Sequence, residues 1–125
     1  MIEELPQYQK MAHIPYVVQV PGTTAEIRPN HMYIFEEPMN GYASITVTKT
    51  QDVTSSNQED ETAHYYFKFH FDTTNDINPN FQLKLNGFSA RWSQGYAPVF
   101  DEAAKGMAFE ISIIGNNALW AQFLI

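Results

Sequence analysis

Carboxylates are the first side chains to consider for chemistry in this sequence. Glu26, Asp101 and Glu110 are the acids that lie on or beside segments with strand-like alternation. Glycoside hydrolysis needs two carboxyl groups held roughly 5–9.5 Å apart, and the spacing of these three brings no two together. The sequence also lacks the GxSxG, HExxH, Walker and GxGxxG motifs that position nucleophiles, metals or phosphates. We therefore expect no enzymatic activity and no catalytic residue.

Histidine and cysteine usage predicts no metal site and no cofactor. His64 and His70 share a face of one predicted strand, but their separation along a strand is about 20 Å, too far to bind one ion. The acidic residues at 58–61 lack the regular spacing of a calcium loop. Because the chain has no cysteine, disulfides, thiol catalysis and zinc–thiolate sites are excluded.

Aromatic side chains are the remaining candidates for binding. Trp92, Tyr96 and Trp120 lie among many asparagines and glutamines, and sugar sites commonly combine an exposed ring with amide groups. The same rings are equally suited to packing in a core with their polar atoms hydrogen-bonded. Tyrosine and tryptophan are also enriched in protein interfaces. Glycan binding, subunit contact and core packing therefore all remain open for these three residues.

Length and charge limit the class of protein. The chain has 125 residues and a formal net charge of −7, which suits one domain and argues against nucleic-acid binding, since that needs clustered Lys and Arg. The acidic opening Met1-Ile2-Glu3-Glu4 does not resemble a secretory signal. No purely apolar stretch exceeds four residues, so we expect no membrane span and synthesis in a cytoplasm.

Period-2 alternation of apolar residues dominates the chain after residue 22. Predicted strands include residues 42–48, 64–71, 81–85, 107–113 and 118–125. Turns are predicted at Pro29-Asn30, at the hairpin pair Asn40-Gly41, at Asn86-Gly87 and at residues 115–117, where the last two strands would form a hairpin. Residues 101–106 suit one helical turn, and residues 51–62 suit a solvated loop. The pattern predicts a single all-β domain over residues 23–125, an antiparallel β-sandwich or small barrel of jelly-roll type.

Residues 1–22 differ from the rest and predict an extended N-terminal arm. Pro6, Pro15 and Pro21 disfavour a helix, and residues 16–20 are the only strand-like run. Two interpretations remain open, a loosely attached leader and an arm that docks on a neighbouring subunit. Five apolar residues would make the contacts of a docking arm: Leu5, Tyr8, Ile14, Tyr16 and Val18.

Several stretches from residue 25 onward form a more specific pattern. They are Ile-Arg-Pro-Asn-His-Met-Tyr-Ile-Phe at 27–35, Ser-Ile-Thr-Val at 44–47, Tyr-Tyr-Phe-Lys-Phe at 65–69, Arg91-Trp92, Pro98, and Gly-Met-Ala-Phe-Glu-Ile-Ser-Ile-Ile at 106–114. Over residues 25–125 the chain resembles the small β-domain of virion appendage proteins of tailed phages and prophages, which serve in head decoration or in head and tail fibres.

This resemblance implies a non-enzymatic virion component made in a host cytoplasm. Its partners would be capsid or fibre subunits, and it would form a homo-oligomer such as a trimer on a fibre or a capsid three-fold site. The arm would then be the attachment segment. A carbohydrate-binding or adhesin module that contacts a host surface glycan is the alternative function, and an assembly chaperone is a third.

Overall fold

The computed structural model describes residues 16–50 and 63–125, and almost all of their regular structure is β. The first six strands are β1 Tyr16–Val20, β2 Thr24–Ile27, β3 His31–Phe35, β4 Ser44–Lys49, β5 His64–His70 and β6 Gln82–Asn86. They are followed by β7 Arg91–Trp92, a short 3-10 turn at Glu102–Ala104, β8 Met107–Ile114 and β9 Asn117–Leu124. The predicted loop at residues 51–62 lies outside the described residues.

Alternation in the sequence becomes alternation between core and surface in the strands. In β5, Tyr65, Phe67 and Phe69 are buried, whereas the intervening residues are only partly buried. Successive side chains of a strand point to opposite faces, so each strand presents its apolar set to one side. The 3-10 turn also lies within the predicted segment 101–106, where the Asp101 side chain caps it by accepting a hydrogen bond from the backbone N–H of Ala103.

The strands form two sheets that share one core. The six-stranded sheet has the order β1-β3-β5-β8-β9-β7, and the three-stranded sheet has the order β2-β4-β6. One cluster of buried side chains lies between them, with Ile27, Ile45 and Val47 from the three-stranded sheet facing aromatic and aliphatic residues of the other. The predicted all-β, sandwich-like fold is therefore confirmed.

Strand direction differs from the prediction. From β1 to β6 the chain alternates between the sheets, so β1, β3 and β5 are parallel neighbours, as are β2, β4 and β6. The chain therefore follows a coiled path of three turns, and each turn consists of one strand from each sheet. The strand in the opposite sheet takes the place of the helix that usually connects two parallel strands. The predicted antiparallel, jelly-roll-like pairing is therefore wrong among these six strands, although β5 also pairs antiparallel with β8. Alternation specifies which residues face the core but not which strand lies alongside.

The predicted hairpin at Asn40-Gly41 is also wrong, because the local pattern does not specify which strands pair. β3 and β4, which flank this pair, lie in different sheets, so the connection crosses the core instead of folding back. The C-terminal hairpin is confirmed: β8 and β9 pair antiparallel, with Ile114 opposite Asn117. Gly115 has φ of 59°, the left-handed conformation that the first central position of a tight two-residue hairpin turn requires.

Residues 16–20 of the predicted arm form a strand of the main sheet. β1 pairs in parallel with β3 over all five of its residues, and Val20 is buried in the core. The strand-like run noted in the sequence is thus an edge strand of the six-stranded sheet. Leu5, Tyr8 and Ile14 lie outside the described residues.

A buried asparagine fastens two loops on one end of the molecule. The side-chain amide nitrogen of Asn40 donates to the carbonyl oxygens of Asp72 and Asn75, at 3.2 and 2.6 Å. Its side-chain oxygen accepts from the backbone N–H of Asp72 at 2.8 Å. The Asp72 carboxylate accepts hydrogen bonds from the backbone N–H groups of Asn75 and Thr74, and the first of these is the main cause that lowers the pKa of Asp72.

Candidate functional site

The three candidate aromatics meet around strand β9. Trp120 lies on the core-facing side of β9, opposite Ile111, and its ring N–H donates to the backbone carbonyl of Tyr96 at 3.0 Å. The rings of Trp120 and Tyr96 contact edge to face, with centroids 5.9 Å apart. The amide nitrogen of Gln94 in turn donates to the carbonyl of Trp120 at 2.8 Å. These contacts fasten the segment after β7 to β9.

Only one of the three rings is largely open to solvent. Trp92 lies in β7 and packs against the core cluster, as Trp120 does, whereas Tyr96 is 62% exposed. Since the indole N–H of Trp120 already has a partner, the group offers one accessible ring and no free indole donor from Trp120. It could stack one face of a sugar or contribute a ring to a protein contact.

The three candidate carboxylates are not brought together. Glu26 lies on the outer face of the three-stranded sheet and Glu110 on the outer face of the six-stranded sheet, on opposite sides of the core. Asp101 caps the 3-10 turn. These residues therefore do not form the facing pair that glycoside hydrolysis needs.

His64 and His70 lie at opposite ends of β5, on its outer face. The Nδ1 atom of His64 is 3.0 Å from the hydroxyl of Tyr66. Within residues 16–50 and 63–125, no group of three or more His, Asp or Glu is placed to hold a metal ion.

The outer face of the six-stranded sheet has a row of mainly apolar side chains that crosses five strands. Strand register aligns Val17, Met32, Tyr66, Ser112 and Leu119, and we call these five residues the apolar row. Val17 and Leu119 at its two ends are 59% and 41% exposed. Burial, and to a lesser degree the charge of Glu110, raises the pKa of Tyr66, so its phenol is neutral over the physiological range.

Charges beside the apolar row balance one another. Lys68 and Glu110 lie directly opposite each other on β5 and β8, and the ammonium group of Lys68 is 5.1 Å from the ring centroid of Phe123. Because the ammonium group and the carboxylate have opposite charges, this pair adds no net charge at the centre of the face, and the ring of Phe123 also stabilises the ammonium group. The outer face of the six-stranded sheet thus combines the apolar row with one pair of opposite charges, and His64 and His70 lie at its margins on β5.

The outer face of the three-stranded sheet is different in character. Its register aligns Thr24, Thr46 and Lys84 in one row, and Glu26, Thr48 and Asn86 in the next. Hydroxyl, amide and charged groups of this kind are well hydrated. The contrast makes the six-stranded sheet the face suited to a protein contact.

The β1 edge is the second unusual surface, and we use this name for the side of β1 that faces away from β3. No described strand pairs with it, and Tyr16 on this strand is 78% exposed. Tyr16 contacts the ring of His31 at 5.7 Å between centroids, while Val18 packs against the core cluster. Two of the five predicted arm contacts are therefore placed by the structure, one exposed and one partly buried.

Sequence reasoning missed the apolar row. Alternation assigned Tyr66 to the non-core face of its strand and gave Met32 no face. It grouped Leu119 with Ala121, Phe123 and Ile125 as the apolar side of the last strand, and this is wrong, because Ala118 is buried and Trp120 packs against the core whereas Leu119 is 41% exposed. A signal was present in residues 16–18, where Tyr-Val-Val shows no alternation and both faces of the strand are apolar. Strands that are buried on both faces commonly have continuous apolar runs of this kind instead of alternation.

Comparison of the chain with protein-family models, with curated proteins and with solved structures gives no match. The fold and the surfaces described above are therefore the basis for assigning a function. Among the described residues, no helix has the length and apolar character needed to cross a membrane.

Proposed function

We propose that this chain is a structural protein of a phage virion, either a capsid decoration protein or a component of a head or tail fibre, and that it acts through protein–protein contacts. The proposal rests on one observation above the others, the apolar row on the outer face of the six-stranded sheet. The resemblance of residues 25–125 to virion appendage domains supplies the phage setting.

Burial of this face would favour association. Val17, Met32 and Leu119 each add apolar area, and burial contributes about 25 cal/mol per Å² of apolar surface. Monomeric proteins rarely expose broad contiguous apolar patches, and those that do commonly use them for binding. Since the chain has a net charge of −7, a face with compensated charges is also where another acidic subunit meets least repulsion.

The N-terminal segment supplies a second means of attachment in this proposal. Leu5, Tyr8 and Ile14 precede β1, whose Tyr16 and Val18 continue the apolar series. An extended segment with apolar anchors can add to the sheet edge of a neighbouring subunit, where backbone hydrogen bonds give affinity and side-chain pockets give specificity.

Lysine at Leu119 is expected to reduce incorporation into particles by about tenfold or more, because a charge buried in an apolar contact costs well over the 1.4 kcal/mol that a factor of ten represents. The variant Leu119→Lys is co-expressed with the genes that flank this one, and the amount of the protein in purified particles is measured. Leu119 is partly exposed on an edge-proximal strand, so folding should be retained, as circular dichroism would verify.

Thr48→Lys is the matched control. It adds the same charge on the polar face, where Glu26 is the cross-strand neighbour of Thr48, and should leave incorporation unchanged. Equal incorporation of wild type and Leu119→Lys would overturn the role of this face. Absence of the wild-type protein from particles that need it for assembly would instead favour a chaperone.

A carbohydrate-binding module is the second candidate, because Tyr96 presents a largely exposed ring beside Trp120. A chain with this function would give specific signals on a glycan array, and Tyr96→Ala would weaken them about tenfold or more through loss of a ring contact. Tyr42→Ala removes another exposed tyrosine from a different loop and should have no effect. Signals that are absent, or that both variants reduce equally, would reject this candidate.

A further inference from the structure

Strand β1 lacks the protection that the other described edge strands have. Exposed edges in soluble proteins are commonly blocked by charged residues, by shortness or by a covering loop. Here β2 contains Glu26, β6 contains Lys84, and β7 has only two residues, one of them Arg91. β1 has the sequence Tyr-Val-Val-Gln-Val, with five residues and no charge.

The opposite edge of the six-stranded sheet is partly covered. β7 pairs with the start of β9, and the backbone N–H of Ser93 donates to the carbonyl of Ala118 at 2.8 Å. The side-chain amide of Gln94 also donates a hydrogen bond to the backbone carbonyl of Trp120. Among the described residues, the β1 edge is therefore the more open of the two ends of this sheet.

Backbone geometry determines which groups the β1 edge offers. The carbonyl of Val20 accepts a hydrogen bond from the N–H of Glu36 at 3.0 Å, just beyond β3, so the peptide groups of Val20 face β3. Peptide groups of successive residues in a strand point to alternate sides. The N–H and C=O groups of Val17 and Gln19 consequently face away from β3, and these are the four groups that the edge presents.

We infer that the β1 edge binds the β1 edge of a second copy of this chain, with the two strands antiparallel about a two-fold axis at Val18. Val17 of each copy lies opposite Gln19 of the other. These two residues then exchange both of their backbone hydrogen bonds, as in the hydrogen-bonded pair of an antiparallel ladder. All four free backbone groups of each edge are satisfied by this single register.

Side-chain direction agrees with the same register. Directly opposite residues in an antiparallel pair point to one face of the sheet. Tyr16, Val18 and Val20 share the core side of β1, and the register places Tyr16 of one copy opposite Val20 of the other, with Val18 opposite itself. The core sides of the two copies therefore form one continuous surface. No charged residue of β1 lies at the contact, which matters for two chains of net charge −7.

This inference rests on the proposed function and names one of its partners. A two-fold axis perpendicular to the sheet leaves the outer faces of both copies on the same side. The two apolar rows would then meet at the dimer contact, offset by two residues, with Val17 of one copy diagonal to Val17 of the other. A larger apolar surface of this kind is better suited to bind a capsid or fibre than either row alone.

Single-cysteine variants give the sharpest test, because the chain has no cysteine of its own. In the inferred register the two Val18 residues form a non-hydrogen-bonded pair with Cα atoms about 4.5 Å apart, within the range a disulfide needs. The two Val17 residues are diagonal neighbours, about 7–8 Å apart. Under mild oxidation we expect Val18→Cys to form a covalent dimer about tenfold faster than Val17→Cys.

Val17→Cys is a demanding control, because side-chain exposure alone predicts that it would cross-link faster than Val18→Cys. Val17 is 59% exposed, whereas Val18 is only partly exposed, so random collision would cross-link Val17→Cys faster. That order, or equal rates, would overturn the inference. Lack of cross-linking in both variants would also overturn it, and would indicate that the chain's own residues or a different protein covers this edge.

Proline at Val17 tests the uncross-linked dimer. Val17→Pro removes a donor that faces the free edge and leaves the hydrogen bonds between β1 and β3 in place, so light scattering should show a monomer where the wild type is a dimer. Val17→Thr keeps the donor and should remain dimeric. If Val17→Pro fails to fold, the cross-linking rates of the two cysteine variants still test the inference.

Failure of this inference can be told apart from failure of the proposed function. The cysteine variants use only the purified protein and report on pairing between copies. The Leu119→Lys variant reports on incorporation into particles through the other end of the apolar row. A monomer that still enters particles would overturn the two-fold pairing and leave the virion role in place.

Discussion

Replacement of Phe69 with alanine is expected to lower the free energy of unfolding by about 3–5 kcal/mol, the usual cost of removing a buried phenylalanine ring. Phe69 is fully buried in the middle of the longest aromatic series in the core. Its ring centroid lies within 5.5–6.3 Å of those of five other phenylalanines, namely Phe67, Phe71, Phe81, Phe100 and Phe109. Collapse into the vacated space would require several of these rings to leave their contacts together.

Phe123→Ala is the matched control for this prediction. Phe123 is 39% exposed on the outer face, where Lys68 lies over its ring, so its loss should cost about 1 kcal/mol or less. Chemical denaturation of both variants measures the difference. Similar losses at the two positions would contradict the central place of Phe69 in the core.

The aromatic core accounts for the stability of a chain without disulfides. Phe71, Phe81 and Phe100 contact one another with centroids 5.1–5.7 Å apart, mostly edge to face, an arrangement that stabilises beyond the area buried. Phe81 and Phe100 lie in the segments before β6 and before the 3-10 turn. The rings thus hold irregular segments to the sheets, which is a task that disulfides perform in smaller domains.

Features that depend on local pattern could be predicted from the sequence. Four aromatics in alternate positions predicted β5 and its buried face, and Gly115 predicted the turn between β8 and β9. Both depend on residues close together in the chain, where the backbone geometry of a strand or a tight turn leaves few choices. The 3-10 turn near Asp101 belongs to the same class.

Strand partners could not be predicted, because they depend on residues far apart. The pair Asn40-Gly41 favours a hairpin locally. In the structure, however, the side chain of Asn40 donates hydrogen bonds to the backbone carbonyls of Asp72 and Asn75, which are more than 30 residues away in the sequence. The chain then continues into the opposite sheet as β4. A local preference of this size is readily overridden by tertiary contacts.

The candidate surfaces were partly predictable. Trp92, Tyr96 and Trp120 were identified by residue type, but their meeting around β9 depends on the parallel pairing of β7 with β9, which alternation does not reveal. The apolar row depends on the register of five strands at once. The local sign of it in the sequence was the unbroken apolar runs in three of these strands, residues 16–18 in β1, 32–35 in β3 and 118–121 in β9.

Aspartate in place of Asn40 is expected to lower the free energy of unfolding by about 3 kcal/mol or more at neutral pH. Asn40 is 3% exposed, and its amide nitrogen donates to the two carbonyl oxygens of Asp72 and Asn75. A carboxylate at this place has the same shape but no donor, so the carbonyl of Asn75 loses its bond from this side chain and the carbonyl of Asp72 keeps only the bond from the N–H of Gly106. The substitution also adds a buried negative charge beside these two oxygens. The remaining hydrogen bond, from the N–H of Asp72, offsets only part of that cost.

The pH dependence of Asn40→Asp separates this cause from a general loss of packing. Burial beside two carbonyl oxygens raises the pKa of the new carboxyl in the folded state above its unfolded value. The folded state therefore binds more protons, and stability relative to wild type should rise as the pH falls from about 7 toward 5, where the protonated acid can again donate one hydrogen bond. Asn86→Asp makes the same change of charge at an exposed position of β6 and should show neither the loss nor the recovery. Denaturant midpoints measured across this pH range compare the two variants, and a deficit in Asn40→Asp that stays constant with pH would contradict the buried-donor explanation.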